Sequence, residues 1–142
     1  QNVILSSSPS SIAQAKLMNF GLADRPEETW TRNQVVYMSP EQLAHHKADA
    51  SADLYSLGML LYELSTGRLP FGADTVKGLI EQCIYAPPIP PREIRAELPI
   101  ELERIILQLL NKAPTSRQAS ANAVLEELDS VKVEENPAVR SA

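Results

Sequence analysis

The longest apolar pattern in the chain lies in residues 51–66, where leucine recurs at steps of three and four residues. This spacing predicts a helix, because strand side chains would alternate with a period of two. Tyrosine and methionine stand between the leucines, so the helix is apolar on nearly every side and should be buried. Ser51 is the expected N-cap and Gly67 the expected left-handed C-terminal residue. Gly58 lowers helix stability by about 1 kcal/mol relative to Ala, which indicates a close backbone contact there.

The C-terminal half of the chain carries further helical patterns. The first follows Asp74 or Thr75, either of which can cap it. This helix places Cys83 on its apolar stripe, so we expect a small buried side chain rather than a reactive thiol. The next helix covers residues 99–110 and has a strongly apolar face. The last helix covers residues 120–131, with an apolar face made of Ala123, Val124, Leu125 and Leu128.

The N-terminal end has strand patterns instead. Residues 3–5 and 15–18 are short apolar stretches on either side of a serine-rich turn, and they predict one small β-hairpin. The fold class is therefore mainly α with this hairpin. Residues 86–91 contain four prolines and cannot be helical. They favour the polyproline conformation, either as a spacer between helices or as a ligand for an SH3-type domain.

Charge and composition exclude several classes of protein. The net charge is -5 and no basic stripe is visible, which argues against nucleic acid or an anionic membrane as partner. No apolar run approaches the roughly 18 residues that span a bilayer, and no secretory leader is visible. Cys83 is the single cysteine, which fits a reducing, cytoplasmic setting. Because the chain begins with Gln1, we expect it to be part of a longer or processed protein.

The sequence Ala-Asp-Leu-Tyr-Ser-Leu-Gly-Met-Leu-Leu-Tyr-Glu-Leu-Ser-Thr-Gly-Arg-Leu-Pro-Phe, residues 52–71, closely resembles the central helix of the large lobe (C-lobe) of protein kinases. The catalytic loop of that family reads H-R-D-L-x-x-x-N, and a hairpin ending in D-F-G follows it. By this resemblance Asn2 stands at the catalytic-loop Asn. Asn19, Phe20 and Gly21 stand at D-F-G. The resemblance makes Asn2 and Asn19 the implied metal-binding residues.

The same resemblance implies what this chain lacks. The catalytic base would lie five residues before Asn2, outside the chain, and the small lobe is absent as well. Asn19 also replaces the D-F-G acid, although magnesium prefers charged oxygen ligands where it bridges the phosphates of ATP. If this change weakens transition-state stabilisation by about 4 kcal/mol, turnover falls roughly a thousandfold. ATP and Mg2+ are therefore expected in the intact protein, and neither should bind tightly to this chain.

Residues 22–36 are polar and irregular, and they resemble the activation segment of the family. Thr29 and Thr31 are candidate phosphorylation sites, although the more ordinary interpretation of a threonine in a polar loop is an unmodified surface residue. Residues 36–41, Val-Tyr-Met-Ser-Pro-Glu, resemble the A-P-E motif of Ser/Thr kinases. Many such kinases carry Gly-Thr-Pro before it. Here Gln34 replaces that threonine, a second departure from an ordinary active kinase.

Three residues have structural roles by resemblance. Arg117 lies in the family's basic turn and is expected to pair with Glu41 of the A-P-E motif through a fork-shaped, buried contact. Asp53 is expected to bond to the backbone of the catalytic loop, although an acid in the first turn of a helix also has a purely local explanation. Ser39 should cap a short helix that begins at Pro40.

These patterns predict a partial kinase C-lobe over residues 1–132 and a disordered tail or linker over residues 133–142. The implied function of the intact protein is transfer of the ATP γ-phosphoryl group to protein Ser or Thr hydroxyls, and the chain alone should be inactive. A pseudokinase that serves as a scaffold or regulatory binding module is the alternative, and an unrelated helical interaction module is a more distant one. The expected partners are a protein substrate or regulatory protein and the missing small lobe.

Overall fold

A computed structural model describes the backbone of residues 3–8 and 11–17 and the whole of residues 30–132. The chain divides into two compact units, Gln1–Trp30 and Thr31–Ala142. Among the described residues, no helix is both long enough and apolar enough to cross a membrane.

The first unit contains two strands, β1 (Val3–Ser8) and β2 (Ser11–Leu17). They pair antiparallel, with Val3 opposite Leu17 and Leu5 opposite Ala15, and the register shifts between Ser6 and Ser8. The strands reach further toward the turn than the apolar residues alone indicate. Serine is tolerated in a two-stranded ladder whose hydrogen bonds come from the backbone.

The second unit is helical and is organised around α3 (Ala50–Thr66). Asp49 caps α3 and accepts a hydrogen bond from the Ser51 N–H at 2.8 Å. The prediction that Ser51 is the cap is therefore wrong, because an acid placed earlier both caps the helix and complements its positive end. The C-terminal prediction is confirmed: Gly67 has φ 72° and donates its N–H to the Glu63 carbonyl at 2.8 Å.

Helix α6 (Ile100–Leu109) packs directly on α3. A Cβ atom placed on Gly58 would lie 2.7 Å from the Cβ of Leu109, so the close approach that Gly58 predicts is confirmed. The adjoining core contains Leu54, Ile105, Leu109 and Val124, with Leu57, Leu61, Leu128 and Val131 packed against it. The expectation that α3 is buried on nearly every side fails at Leu64, which is 71% exposed.

Short helices precede α3. Helix α1 (Arg32–Val35) and helix α2 (Pro40–Leu43) both contact α4 (Val76–Tyr85). Thr75 caps α4, since its hydroxyl accepts from the Gly78 N–H at 3.0 Å. Cys83 is buried on α4, as its place on the apolar stripe predicts. Burial raises the pKa of its thiol to about 11.

The remaining elements lie toward the C-terminus. Helix α5 (Pro91–Ile94) precedes α6, a 3-10 turn (Pro114–Ser116) follows it, and α7 (Ala121–Asp129) ends the described chain. Ser120 caps α7 and Val124 is buried on it, but Leu125 is 57% exposed. Its assignment to the apolar face is wrong, because the side of α7 that packs in the core carries Val124 and Leu128, which are one helical turn apart, and Leu125 points away from that side.

Candidate functional site

The candidate site is built on the turn that contains Ser39, Pro40 and Glu41. The Ser39 hydroxyl accepts from the Gln42 N–H at 3.4 Å, and the Gln42 side chain accepts from the Ser39 N–H at 2.9 Å. This reciprocal cap confirms the predicted start of α2 and fixes the first turn in which Glu41 lies. Ser39 and Glu41 are both buried. The Glu41 carboxylate therefore needs a partner inside the protein.

Arg117 is that partner, 76 residues away in sequence. Its two terminal nitrogens donate to the two Glu41 carboxylate oxygens at 2.7 and 2.8 Å. The other three donors reach backbone carbonyls, those of Asn111 at 2.8 Å, Ser51 at 2.9 Å and Lys112 at 3.3 Å. All five N–H donors of the guanidinium are thus used. The predicted pairing of Glu41 with Arg117 is observed, and we call it the clasp.

The surroundings of the clasp keep the Glu41 carboxylate ionised. Arg117 is 4% exposed and lies over the Tyr55 ring, with 5.1 Å from the guanidinium carbon to the ring centroid. Burial alone would raise the pKa of Glu41, but the hydrogen bonds and charge of the Arg117 guanidinium hold that pKa below its ordinary value. Glu41 therefore stays ionised, and a fork-shaped charged contact of this kind fixes orientation as well as distance.

A second attachment joins the same segment to α3. The Tyr37 hydroxyl donates to the Glu63 carboxylate at 2.5 Å, and the Ser56 hydroxyl donates to the Tyr37 carbonyl at 2.6 Å. Burial, together with the Glu63 carboxylate, raises the pKa of Tyr37 to about 12. Sequence reasoning missed this contact. The signal for it was Glu63 itself, an acid inside an otherwise apolar helical run.

Lys112 is a further residue that sequence reasoning missed. Its ammonium group lies 4.1 Å from the centroid of the Phe71 ring and donates to the Cys83 carbonyl at 2.6 Å. Burial lowers the pKa of Lys112 to about 8. The aromatic face and the carbonyl oxygen together hold this cation beside the clasp. Nothing local in the sequence marked Lys112, because its partners lie about 30 and 40 residues earlier.

Gln34, which by resemblance replaces the threonine of many Ser/Thr kinases, has its side chain hydrogen-bonded within the chain. The Gln34 side-chain oxygen accepts from the Thr31 N–H at 2.9 Å and from the Thr31 hydroxyl at 3.1 Å. Both residues belong to the start of α1. The amide of Gln34 thus serves the local helix cap, and Thr31, a phosphorylation candidate, is exposed.

The structure gives less information on the other expected site residues. Asp53 is exposed in the first turn of α3, and the described residues do not test its expected bond to the catalytic loop. The remaining expected positions lie outside the described residues, as does the predicted tail, residues 133–142. These positions are Asn2, Asn19, Phe20, Gly21 and Thr29.

Comparison with known proteins agrees with the landmarks described above. The family described as "Protein kinase domain" matches residues 1–128. A probable serine/threonine-protein kinase of Clostridium acetobutylicum is 38% identical over 82% of this chain and 19% of its own length. A serine/threonine-protein kinase of Myxococcus xanthus is 38% identical over 82% of this chain and 23% of its own length.

A tyrosine-protein kinase of Myxococcus xanthus is also similar, with 34% identity over 82% of this chain and 19% of its own length. The chain therefore spans about a fifth of the length of the curated relatives it matches. The family match covers the clasp, the Ser39 turn and the central helix together. The chain belongs to the protein kinase domain family and is similar to bacterial serine/threonine kinases.

Proposed function

We propose that the intact protein transfers the ATP γ-phosphoryl group to Ser or Thr hydroxyls of a protein substrate, and that residues 31–132 form the scaffold on which the substrate is positioned. The clasp is the observation that carries this proposal. Phosphoryl transfer depends mainly on positioning and on electrostatic stabilisation. A substrate platform must therefore be held in one geometry, and the clasp holds the end of the activation segment against the basic turn.

Two further attachments support this role. The Arg32 guanidinium donates to the Ala73 carbonyl, and Tyr37 and Ser56 join the middle of the segment to α3. The segment from Arg32 to Leu43 is thus anchored near its start, middle and end. We infer that a protein substrate or a regulatory protein docks across this anchored segment, in the reducing cytoplasmic setting that the sequence favours.

The metal and the nucleotide belong to the intact protein in this proposal. Asn2 and Asn19 would hold Mg2+ through neutral amide oxygens, a donor set that suits this cation less well than carboxylates. When bound, Mg2+ with ATP supplies charge neutralisation at the transferred phosphoryl group. The catalytic base and the small lobe would come from outside these 142 residues, so the chain alone should neither phosphorylate a substrate nor bind ATP tightly.

The alternative, a pseudokinase scaffold, is favoured by a specific observation. Gln34 uses its side-chain oxygen to hold Thr31, so the position at which the family places a threonine hydroxyl is occupied by a local cap. Together with Asn19 in place of an acid, this arrangement fits a protein that keeps the large lobe for binding.

Asn19→Asp distinguishes the two functions. The assay measures phosphate transfer by the intact protein to peptides that carry Ser, Thr or Tyr, with Mg2+ varied over a wide range. An active kinase should show slow transfer to Ser or Thr, and Asn19→Asp should raise the rate by up to about a thousandfold. If no transfer occurs and a parallel nucleotide-binding assay detects no binding at high Mg2+, with or without Asn19→Asp, the kinase function is ruled out and the pseudokinase alternative stands. Transfer to Tyr alone would overturn the proposed Ser/Thr specificity.

Thr29 and Thr31 remain candidate phosphorylation sites within the proposal. Phosphorylation of Thr31 would remove the proton that its hydroxyl donates to Gln34 and add nearly two negative charges. Mass spectrometry of the intact protein after incubation with ATP, compared with Thr31→Ala, would locate the modified residue.

A further inference from the structure

Lys112 is a half-buried cation that pairs with no carboxylate among the described residues. Its ammonium group donates to the Cys83 carbonyl at 2.6 Å. Cys83 lies in the last turn of α4, and its carbonyl would need the N–H four residues further on to continue the helix. That residue is Pro87, which has no N–H. Lys112 therefore supplies the missing hydrogen bond, at the end of a helix where a positive charge is also favourable.

The same ammonium group lies against the loop that follows α3. It is 4.1 Å from the centroid of the Phe71 ring. The next residue, Gly72, donates its N–H to the side-chain oxygen of Gln82, in the last turn of α4, at 3.0 Å. The carbonyl of Ala73 then accepts from the Arg32 guanidinium. Three consecutive residues of the loop thus connect this cation and the last turn of α4 to the start of the anchored segment.

The backbone of Lys112 serves the other end of the anchored segment. Its carbonyl accepts from a terminal nitrogen of Arg117 at 3.3 Å, and the same guanidinium holds Glu41 in the clasp. The helices at the two ends of the segment, α1 and α2, both pack on α4. Lys112 therefore supports one end through its side chain and the other end through its backbone.

We propose that Lys112 is a positioning residue for the substrate platform, because its ammonium group holds the last turn of α4 and the loop after α3 in the arrangement that fixes the start of the anchored segment. This role rests on the proposed function, in which a protein substrate docks across that segment. A segment held at both ends presents a single geometry, so less conformational entropy is lost when the substrate docks. Without the ammonium group, α1 is released while the clasp still holds α2.

The test measures amide hydrogen exchange in the intact protein by mass spectrometry. Lys112→Met keeps a long side chain over the Phe71 ring and removes the charged hydrogen bond. Exchange should become about tenfold faster in the last turn of α4 and in α1. In α2 and α7 it should change less than about twofold. Lys77→Met is the matched control, because Lys77 is an exposed lysine of the same helix, and it should leave all four regions unchanged.

A second variant tests the route from Lys112 to α1. Arg32→Met breaks the bond to the Ala73 carbonyl and should by itself speed exchange in α1. Adding Lys112→Met to Arg32→Met should then speed exchange in α1 by less than about twofold more. A full additional tenfold effect would overturn the proposal. So would an exchange rate that in Lys112→Met rises equally in α7, or that rises in α4 alone.

Thermal unfolding of each variant identifies any loss of folding. If Lys112→Met does not fold, Gln82→Ala decides the outcome, because it breaks the bond to the Gly72 N–H instead. Gln82→Ala should speed exchange in α1 and leave α2 unchanged, and an unchanged rate in α1 would overturn the proposal.

Substrate docking is measured on the same proteins with a degenerate library of Ser and Thr peptides. Lys112→Met should raise KM about tenfold and change kcat less than about twofold, because it alters docking rather than the reacting groups. A fall in kcat with KM unchanged would overturn the proposal. An unsubstituted protein that transfers no phosphate would instead contradict the proposed function, and the exchange pattern would then decide the role of Lys112 alone.

Discussion

Two ion pairs of this molecule have the same chemistry and very different surroundings. In the clasp, Arg117 and Glu41 meet at 2.7 Å with side chains 0% and 9% exposed. The second pair joins α6 to α7, where Arg104 and Glu127 lie 3.7 Å apart with side chains 60% and 28% exposed. In the clasp every donor is matched and water is excluded, whereas the outer pair competes with solvent. Burial and the number of satisfied donors therefore decide what an ion pair contributes.

The largest expected effect comes from breaking one side of the clasp. Glu41→Ala or Arg117→Ala should each lower the free energy of unfolding by about 3–5 kcal/mol, since each leaves a buried charge without its partner. Urea unfolding followed by circular dichroism measures this loss. The double variant should lose much less than the sum of the single losses. Strictly additive losses would show that the two side chains do not act together.

Gly58→Ala tests whether the packing of α3 on α6 contributes as much to the free energy of unfolding as the clasp does. The new Cβ would meet Leu109 at 2.7 Å, so we expect a loss of about 1–3 kcal/mol in the free energy of unfolding. Gly72→Ala is the control, because a Cβ there would meet nothing within 4 Å. If Gly58→Ala leaves stability unchanged, α3 and α6 are less closely packed than described.

Lys112, which lies beside the clasp, makes the stability of the folded protein depend on pH. Its pKa falls from 10.5 to about 8 in the folded protein, so between these values the unfolded chain binds more protons and stability rises with pH. Because Lys112 is partly exposed, the rise should be only about 1 kcal/mol.

Above pH 9 this rise is opposed, because an unfolded cysteine thiol ionises at 9.0 while the pKa of buried Cys83 is raised to about 11. Above pH 10 Tyr37 adds to the decline, since its pKa is raised from 10.0 to about 12. Thermal melts between pH 7 and 9 measure the rise, and Lys112→Met should flatten it. An unchanged slope in Lys112→Met would contradict this assignment.

The smallest effect is expected at the outer pair. Arg104→Ala should change the free energy of unfolding by about 0.5 kcal/mol, and high salt should remove most of that difference. The same urea experiment serves, with and without added salt. A loss comparable to that of Arg117→Ala would mean that exposure does not separate the two pairs.

The sequence predicted the features whose causes are local. Gly67 and the Ser39 turn depend on neighbouring residues alone, and both are confirmed. The sequence allowed Asp74 or Thr75 as the cap of α4, and the structure has Thr75. Gly58 was informative because glycine inside a helix needs a tertiary reason. The clasp came from resemblance, since no local pattern joins residues so far apart.

The wrong predictions and the contacts that were not predicted have a common physical origin. Ser51 and Asp49 are both good caps, and the choice between them depended on where α3 begins. Leu125 is apolar enough for the core, but only the side of α7 that carries Val124 and Leu128 packs there. Lys112 lies over the ring of Phe71, and Tyr37 donates to Glu63. A prediction made one segment at a time cannot find these contacts, because the partners are far apart in sequence.

The 76 residues between the clasp partners have a consequence for synthesis on the ribosome. At roughly 5–20 residues per second, Arg117 is added about 4–15 s after Glu41. During that interval the nascent chain carries the glutamate without its guanidinium. Helix α3 can form meanwhile, but the turn at Ser39 must wait for the basic residue before it is locked in place. A ribosome that pauses between these two codons would prolong the period in which the emerging chain is open to proteolysis.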